Sequence, residues 1–210
     1  MSGRDQLARI SAGVIGALAL IAMIPPMGYA LASDNGPLLG VIGMVRAFTI
    51  LTNGLVGLLF LQIALKGRDA VSPLLVGGIM LAILLVGIIF NLLLDHMRFE
   101  TVWAWLGDRV HHRAVPLLVP LWWLVFADKG RFNWSMPFLW MLYPLGYSAL
   151  IIISAQILPA SMPNRYIYFF MDGEALGWPT AIGNMAVIAA GFALVGLAVV
   201  GIDKWLGRRG

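Results

Sequence analysis

The chain has 210 residues, of which 60% are hydrophobic and only 11% are charged, whereas a soluble globular domain carries about 25% charged residues. This composition excludes a water-soluble fold and indicates an integral membrane protein. Cysteine does not occur in the sequence, which excludes disulfides, thiolate catalysis and thiolate metal ligands. The net charge of +4 comes from basic residues clustered between apolar runs, which is typical of topology signals rather than of nucleic-acid binding.

Six apolar runs follow one another along the chain. A hydrocarbon core of about 30 Å requires roughly 20 mostly apolar residues per helix, so each run predicts one transmembrane helix. Short connections leave no room for a soluble module, and the sequence therefore predicts a single all-α transmembrane domain over residues 1–210, a six-helix bundle with its function among the helices. The predicted spans are residues 10–32, 38–65, 73–94, 102–127, 136–158 and 180–202.

The first run also has features of a signal peptide. Residues 30–33 resemble a small-residue cleavage site and follow the basic residues Arg4 and Arg9. The apolar run before them is longer than a typical signal-peptide core. We therefore expect the first run to be retained as a transmembrane helix.

The distribution of Lys and Arg predicts the orientation of the bundle. Connections on one side carry nine basic residues and those on the other carry four, with Arg46 inside a span. The richer side faces the cytoplasm under the positive-inside rule, so both termini are predicted to be cytoplasmic. The sequence thus predicts a multi-pass integral membrane protein, which would lie in the cytoplasmic or inner membrane if the protein is bacterial. The nine residues are Arg4, Arg9, Lys66, Arg68, Lys129, Arg131, Lys204, Arg208 and Arg209.

The second predicted span contains the richest set of polar residues. Arg46, Thr49 and Asn53 are spaced by three and four residues, which places them on one face of a continuous helix. Ionisable groups in hydrocarbon cost about 2.5–3.5 kcal/mol on insertion scales and usually face a cavity or a partner. A purely structural interpretation stays open, in which Thr49 bonds its own helix, Asn53 joins two helices and Arg46 extends outward.

A charged turn, Asp108–Arg113, interrupts the fourth predicted span. The apolar stretch after it, from Pro116 to Phe126, is too short to cross the membrane by helix rise. We therefore expect the helix to begin near Val102 and to carry the charged turn below the outer surface, beside a water-accessible cavity.

Helix rise predicts that the second and fourth spans bring a hydroxyl and an imidazole to the same depth. Thr49 precedes Lys66 by seventeen residues, about 25 Å, and His112 precedes Asp128 by sixteen, about 24 Å. His111 and His112 project about 100° apart on a helix, so only one of them is expected to face the second span. The alternative is that both histidines lie in a solvated outer loop.

Five segments along residues 40–185 resemble successive blocks of one family. In order, the segments are Phe48–Asn53, His112–Leu117, Phe126–Gly130, Trp140–Pro144 and Tyr168–Asp172. The family is the Pr6Pr-type group of six-span proteins, similar to the androgen-induced membrane hydrolases that include androgen-dependent TFPI-regulating protein.

The resemblance implies an intramembrane threonine hydrolase without a cofactor or metal, acting on fatty acid esters of hydroxy fatty acids. Carried over by position, the nucleophile falls on Thr49 and the base on His112. The His111-His112 doublet leaves the position of the base open by one residue, and Ile167 stands where the family pattern often has proline.

Ester cleavage also requires donors to the developing oxyanion. Asn53 and, on the sixth span, Asn184 are the candidates. Arg46 is a candidate to bind a carboxylate on a lipid substrate; a structural ion pair with Asp95 or Asp108 is an equal alternative. The expected partners are membrane lipids and the lipid ester itself.

Two other functional classes compete with a hydrolase. A small-solute or lipid transporter or binding protein would use the same polar stripe without catalysis, but the sequence lacks the paired halves that such proteins often have. A haem protein would use histidines as axial ligands. His96, His111 and His112 all lie towards one side, which disfavours that interpretation.

Overall fold

The computed structural model describes residues 2–94, 101–159, 162 and 164–209. Within these ranges the regular secondary structure is entirely helical, and the predicted all-α membrane class is confirmed. Among the described residues, five helical segments are long and apolar enough to cross a membrane. They are Gly3–Leu31, Phe48–Lys66, Pro73–Leu94, Met136–Ile157 and Trp178–Gly207.

Several of these segments consist of more than one helix. The helices are numbered in chain order, and π turns extend α5 and join α6 to α7. They are α1 (Gly3–Ile21), α2 (Ile24–Leu31), α3 (Pro37–Arg46), α4 (Phe48–Lys66), α5 (Pro73–Ile89, then the π turn Phe90–Leu94), α6 (Val102–Arg109, then the π turn Val110–Ala114), α7 (Val115–Phe126), α8 (Met136–Trp140), α9 (Leu142–Ile157), α10 (Gly173–Leu176) and α11 (Trp178–Gly207).

Small residues bring α1 close to α4. A Cβ atom added at Gly57 would lie 2.5 Å from the side chain of Leu20, and one added at Gly16 would lie 3.1 Å from the carbonyl oxygen of Gly57. Ala12 and Ala19 are fully buried on the same helix. Lipid tails are as apolar as the side chains, so the hydrophobic effect does not drive helices together within a membrane. Close packing of the backbones is therefore a main source of helix association there.

The structure divides the predicted second span into two helices at Ala47. Helix α3 ends at Arg46, Ala47 adopts an extended backbone with ψ 127°, and α4 begins at Phe48. The phenol of Tyr147 donates to the Arg46 carbonyl at 2.9 Å, which satisfies an acceptor that the break leaves without a helical partner. Thr49 therefore lies in the first turn of α4 instead of the middle of a helix.

The fourth predicted span is helical from Val102 to Phe126, as the sequence predicted. Its charged part, Asp108–Arg113, covers the last two residues of α6 and most of the π turn Val110–Ala114, an insertion that occurs often at functional sites. Helix α7 packs closely on α5 directly after the turn, since a Cβ atom at Gly87 would lie 2.8 Å from the Pro116 side chain. The π turn also contacts α4.

Candidate active site

Thr49, His112 and Asp108 form a continuous chain of hydrogen-bonding groups. The Thr49 hydroxyl oxygen lies 3.2 Å from Nε2 of His112, and Nδ1 of His112 lies 2.8 Å from Oδ1 of Asp108. Asp108 and His112 are four residues apart, one helical turn, so their side chains share a face. The two predicted site residues are thus brought together, and Asp108 joins them.

The hydrogen bonds around His112 determine its tautomer. Nδ1 faces the Asp108 carboxylate and also the Asp108 main-chain carbonyl at 3.1 Å, and both groups only accept hydrogen bonds. The ring proton therefore belongs on Nδ1, and the Nε2 lone pair accepts from the Thr49 hydroxyl. This is the order of groups that activates a hydroxyl nucleophile: hydroxyl, imidazole, carboxylate.

The two histidines of the doublet have different partners. His111 is buried, and its Nε2 lies 3.0 Å from the carbonyl oxygen of Ala19 on α1. It therefore contributes to packing between α1 and the π turn. His112 is the member of the pair that faces Thr49.

Phe90 stacks on the His112 ring and restricts the orientation of that ring. The two rings stack with centroids 3.8 Å apart and an interplanar angle of 9°. Phe90 is itself buried, on the π turn that extends α5. No sequence pattern indicates this contact, because Phe90 is one apolar residue within a long apolar run.

The Thr49 hydroxyl and the His112 ring line an apolar cavity of about 70 Å³. Ligand sites for small molecules usually have volumes of about 300–1,000 Å³, so the cavity in this conformation is smaller than a typical ligand site. Its walls come from α4, α5, α9, α11 and the connection between α9 and α11. They include Phe48, Leu85, Val86, Ile89, Phe90, Tyr147, Ser148, Tyr168, Phe170, Met171 and Ile188.

A network of polar contacts ties the α9–α11 connection down over the cavity. Arg165 pairs with Glu174, and the phenol of Tyr166 donates to the other oxygen of that carboxylate at 3.1 Å. Gln156 on α9 donates to the Tyr166 oxygen at 3.0 Å. Burial and the neighbouring Glu174 raise the pKa of Tyr166, so the phenol stays protonated as the donor. These contacts hold the segment that contains Phe170 in the wall of the cavity with Thr49 and His112.

Arg46 and Asn53 do not face the cavity together with Thr49. Asn53 donates one N–H of its side-chain amide to the Thr49 main-chain carbonyl at 2.9 Å. Arg46 donates to Ser154 Oγ at 2.9 Å and to the Arg165 carbonyl. The break at Ala47 explains the position of Arg46, because Arg46 lies in α3 whereas Thr49 and Asn53 both lie in α4.

Asn184 on α11 contacts the connection between α9 and α11. One N–H of its side-chain amide donates to the main-chain carbonyl of Phe170 at 3.3 Å. Of the alternatives for Arg46, Asp108 instead pairs with His112, and Asp95 lies outside the described residues, as does His96. Among the described residues that line the cavity, none is Arg46, Asn53 or Asn184.

Comparisons of the chain with protein-family models, with curated proteins and with solved structures gave no match. The resemblance to the Pr6Pr-type family therefore stands on the five sequence blocks.

Proposed function

We propose that this chain is a six-span membrane hydrolase that cleaves lipid esters, with Thr49 as nucleophile and His112 as base. The observation that carries the proposal is the chain of contacts from Thr49 through His112 to Asp108, inside an apolar cavity. The continuous helical stretch Val102–Phe126 is the remaining span. Both termini lie in the cytoplasm in this proposal, following the distribution of basic residues.

The residues of the chain supply each step of ester cleavage. His112 Nε2 accepts the proton as Thr49 Oγ1 attacks the ester carbonyl, and Asp108 stabilises the imidazolium that forms. The tetrahedral intermediate collapses, the ester C–O bond breaks, and the alcohol leaves with the proton from His112. Water then gives a proton to His112 and attacks the acyl-threonine, which releases the acid and restores the Thr49 hydroxyl.

The cavity walls favour a substrate with an acyl chain. Phe170, Met171 and Ile188 present apolar surface in the same cavity as Thr49, and apolar surface favours contact with a hydrocarbon chain over contact with water. The sequence resemblance adds fatty acid esters of hydroxy fatty acids as the first substrates to test.

The test is turnover of such an ester by the purified protein in detergent micelles. Thr49→Val removes the hydroxyl and keeps the side-chain shape, and we expect turnover to fall to the uncatalysed rate. Thr52→Val is the matched control, because it removes a hydroxyl three residues further along α4 that contacts Tyr143 at 3.1 Å and not His112.

Turnover in the Thr49→Val variant equal to that of the wild type would remove Thr49 from the role. Saturable binding of the ester by the wild-type protein without any cleavage would instead support the alternative function, a lipid-binding or transport protein.

A further inference from the structure

A second cavity, of about 390 Å³, lies at the end of α4 opposite to Thr49. It is enclosed by the connection between α4 and α5, the start of α5, the end of α7 and the connection between α7 and α8. Thr49 is in the first turn of α4 and this cavity follows its last turn, so about 25 Å of helix rise separates the two sites. The volume falls within the usual range of about 300–1,000 Å³ for ligand sites.

The inner wall of this second cavity is apolar and largely aromatic. Trp122, Trp123 and Phe132 contribute to it and are buried. The rings of Trp123 and Phe132 stack with centroids 5.6 Å apart, and the buried side chains of Val71 and Val76 extend the apolar surface. Tryptophan is enriched at the interface between headgroups and hydrocarbon, so the wall is suited to the part of a lipid where its headgroup meets its chains.

Four charged side chains lie at the mouth of the cavity: Arg68, Asp69, Asp128 and Arg131. Two of them are matched within the protein, since Arg68 Nη1 lies 3.2 Å from Oδ1 of Asp128 and donates to the Phe126 carbonyl at 2.8 Å. Asp69 and Arg131 are exposed, and within the described part of the chain neither forms an ion pair. The mouth therefore offers one unmatched charge of each sign.

A zwitterionic headgroup carries the complementary pair of charges. A phosphate accepts the forked donors of an arginine guanidinium, and a primary ammonium donates to a carboxylate. A headgroup with a phosphate alone would leave the carboxylate of Asp69 unmatched beside a like charge, and one with a cation alone would do the same to Arg131. The distribution of basic residues predicts that this end of the bundle faces the cytoplasm, where phospholipid headgroups are the abundant zwitterions at the membrane surface.

We propose that this cavity binds a membrane phospholipid with a phosphate–ethanolamine headgroup. The phosphate lies at Arg131, the ammonium lies at Asp69, and the first part of the acyl chains lies on the wall formed by Trp122, Trp123 and Phe132. The site is separate from the Thr49 cavity and does not depend on the proposed hydrolase function.

The test compares two lipids that differ in one charge. The purified protein in micelles is titrated with phosphatidylethanolamine or phosphatidylglycerol, and the first bound lipid is counted by native mass spectrometry. Both lipids carry short ether-linked chains, so ester cleavage cannot consume them. We expect the ethanolamine lipid to bind about five- to tenfold more tightly, which lies between the effect of an exposed ion pair and that of a charge-assisted hydrogen bond.

Two variants assign the charges of the headgroup to residues. Arg131→Gln should weaken binding of both lipids by about five- to tenfold, because both carry the phosphate. Asp69→Asn should weaken binding of the ethanolamine lipid alone and so remove the preference. Arg208→Gln is the matched control, since Arg208 is exposed directly after α11 and lies outside the cavity wall.

The pattern of the two variants separates a binding site from a general loss of structure, which would weaken both lipids in both variants. Equal binding of the two lipids by the wild-type protein, or a preference that survives in Asp69→Asn, would overturn the proposal. Glycerophosphoethanolamine has the same charges without chains, and we expect it to displace the lipid only at more than about tenfold higher concentration, because it leaves the apolar wall uncovered. Equal potency of this soluble compound would overturn a membrane lipid as the ligand.

Discussion

Replacement of Asp108 by Asn tests whether the carboxylate sets the His112 tautomer. The substitution keeps the size of the side chain, but an amide can turn its NH₂ group towards Nδ1 and donate to it. The ring proton then moves to Nε2, which becomes a donor and cannot accept the proton of Thr49.

The geometry determines the expected size of the effect. The Asp108 carboxylate lies 2.8 Å from Nδ1, and the two side chains are only 6% and 15% exposed, so water competes little for this contact. In hydroxyl–imidazole–carboxylate sites the wrong tautomer lowers kcat by about 10⁴-fold, which corresponds to about 5.4 kcal/mol at 1.36 kcal/mol per tenfold change. We expect Asp108→Asn to lose about 10³–10⁴-fold in kcat.

The assay is the single-turnover rate of ester cleavage in micelles, measured with a chromogenic acyl ester. Thr52→Val is again the control, since it removes a hydroxyl that contacts Tyr143 and not His112. A rate for Asp108→Asn within about threefold of wild type, in a protein with an unchanged melting temperature, would refute the role of Asp108.

Three further predictions follow from the contacts of the site. His112→Gln should abolish turnover in the same assay, whereas His111→Gln should keep most of it and lower the melting temperature, because His111 contacts α1; the reverse pattern would move the base by one residue. Phe90→Ala should lower the free energy of unfolding by about 3–5 kcal/mol and reduce kcat as the imidazole loses its stacking partner; unchanged kcat would show that the stacking is not needed. Gly87→Val should destabilise the protein by about 1–3 kcal/mol through overpacking against Pro116, seen as a lower melting temperature, and an unchanged value would contradict the close packing of α5 on α7.

The approach of Thr49 to His112 was predictable because helix rise is nearly constant. Two residues at similar depth on different helices can meet whatever the details of side-chain packing, provided that the helices are neighbours. The same regularity predicted that the fourth helix continues through its charged turn to Phe126. The contact between Asp108 and His112 could also have been predicted from the sequence, since Asp108 lies four residues before His112.

The break at Ala47 was not predictable from the sequence. Neither proline nor glycine marks it, and the partner that compensates the Arg46 carbonyl is Tyr147, about 100 residues later in the chain. For this reason the expected common face was wrong for Arg46, whereas Thr49 and Asn53 stay in one helix, four residues apart. A tertiary contact decided the local conformation.

The position of Tyr168 in the cavity wall also depends on tertiary structure. It lies in a connection whose path is determined by distant contacts, among them Arg46 to the Arg165 carbonyl and Asn184 to the Phe170 carbonyl. The left-handed conformation of Ile167 runs against local preference. Sequence patterns report local preference, so a position fixed against it could not be inferred from the pattern alone.

The position of the covalent adduct with a fluorophosphonate tests the nucleophile most directly. The purified protein is treated with the probe, its intact mass is measured, and the modified residue is located by peptide mass spectrometry. We expect one adduct per chain on Thr49, and no adduct in Thr49→Ala. An adduct on another residue, or labelling that persists in Thr49→Ala, would contradict Thr49 as the nucleophile.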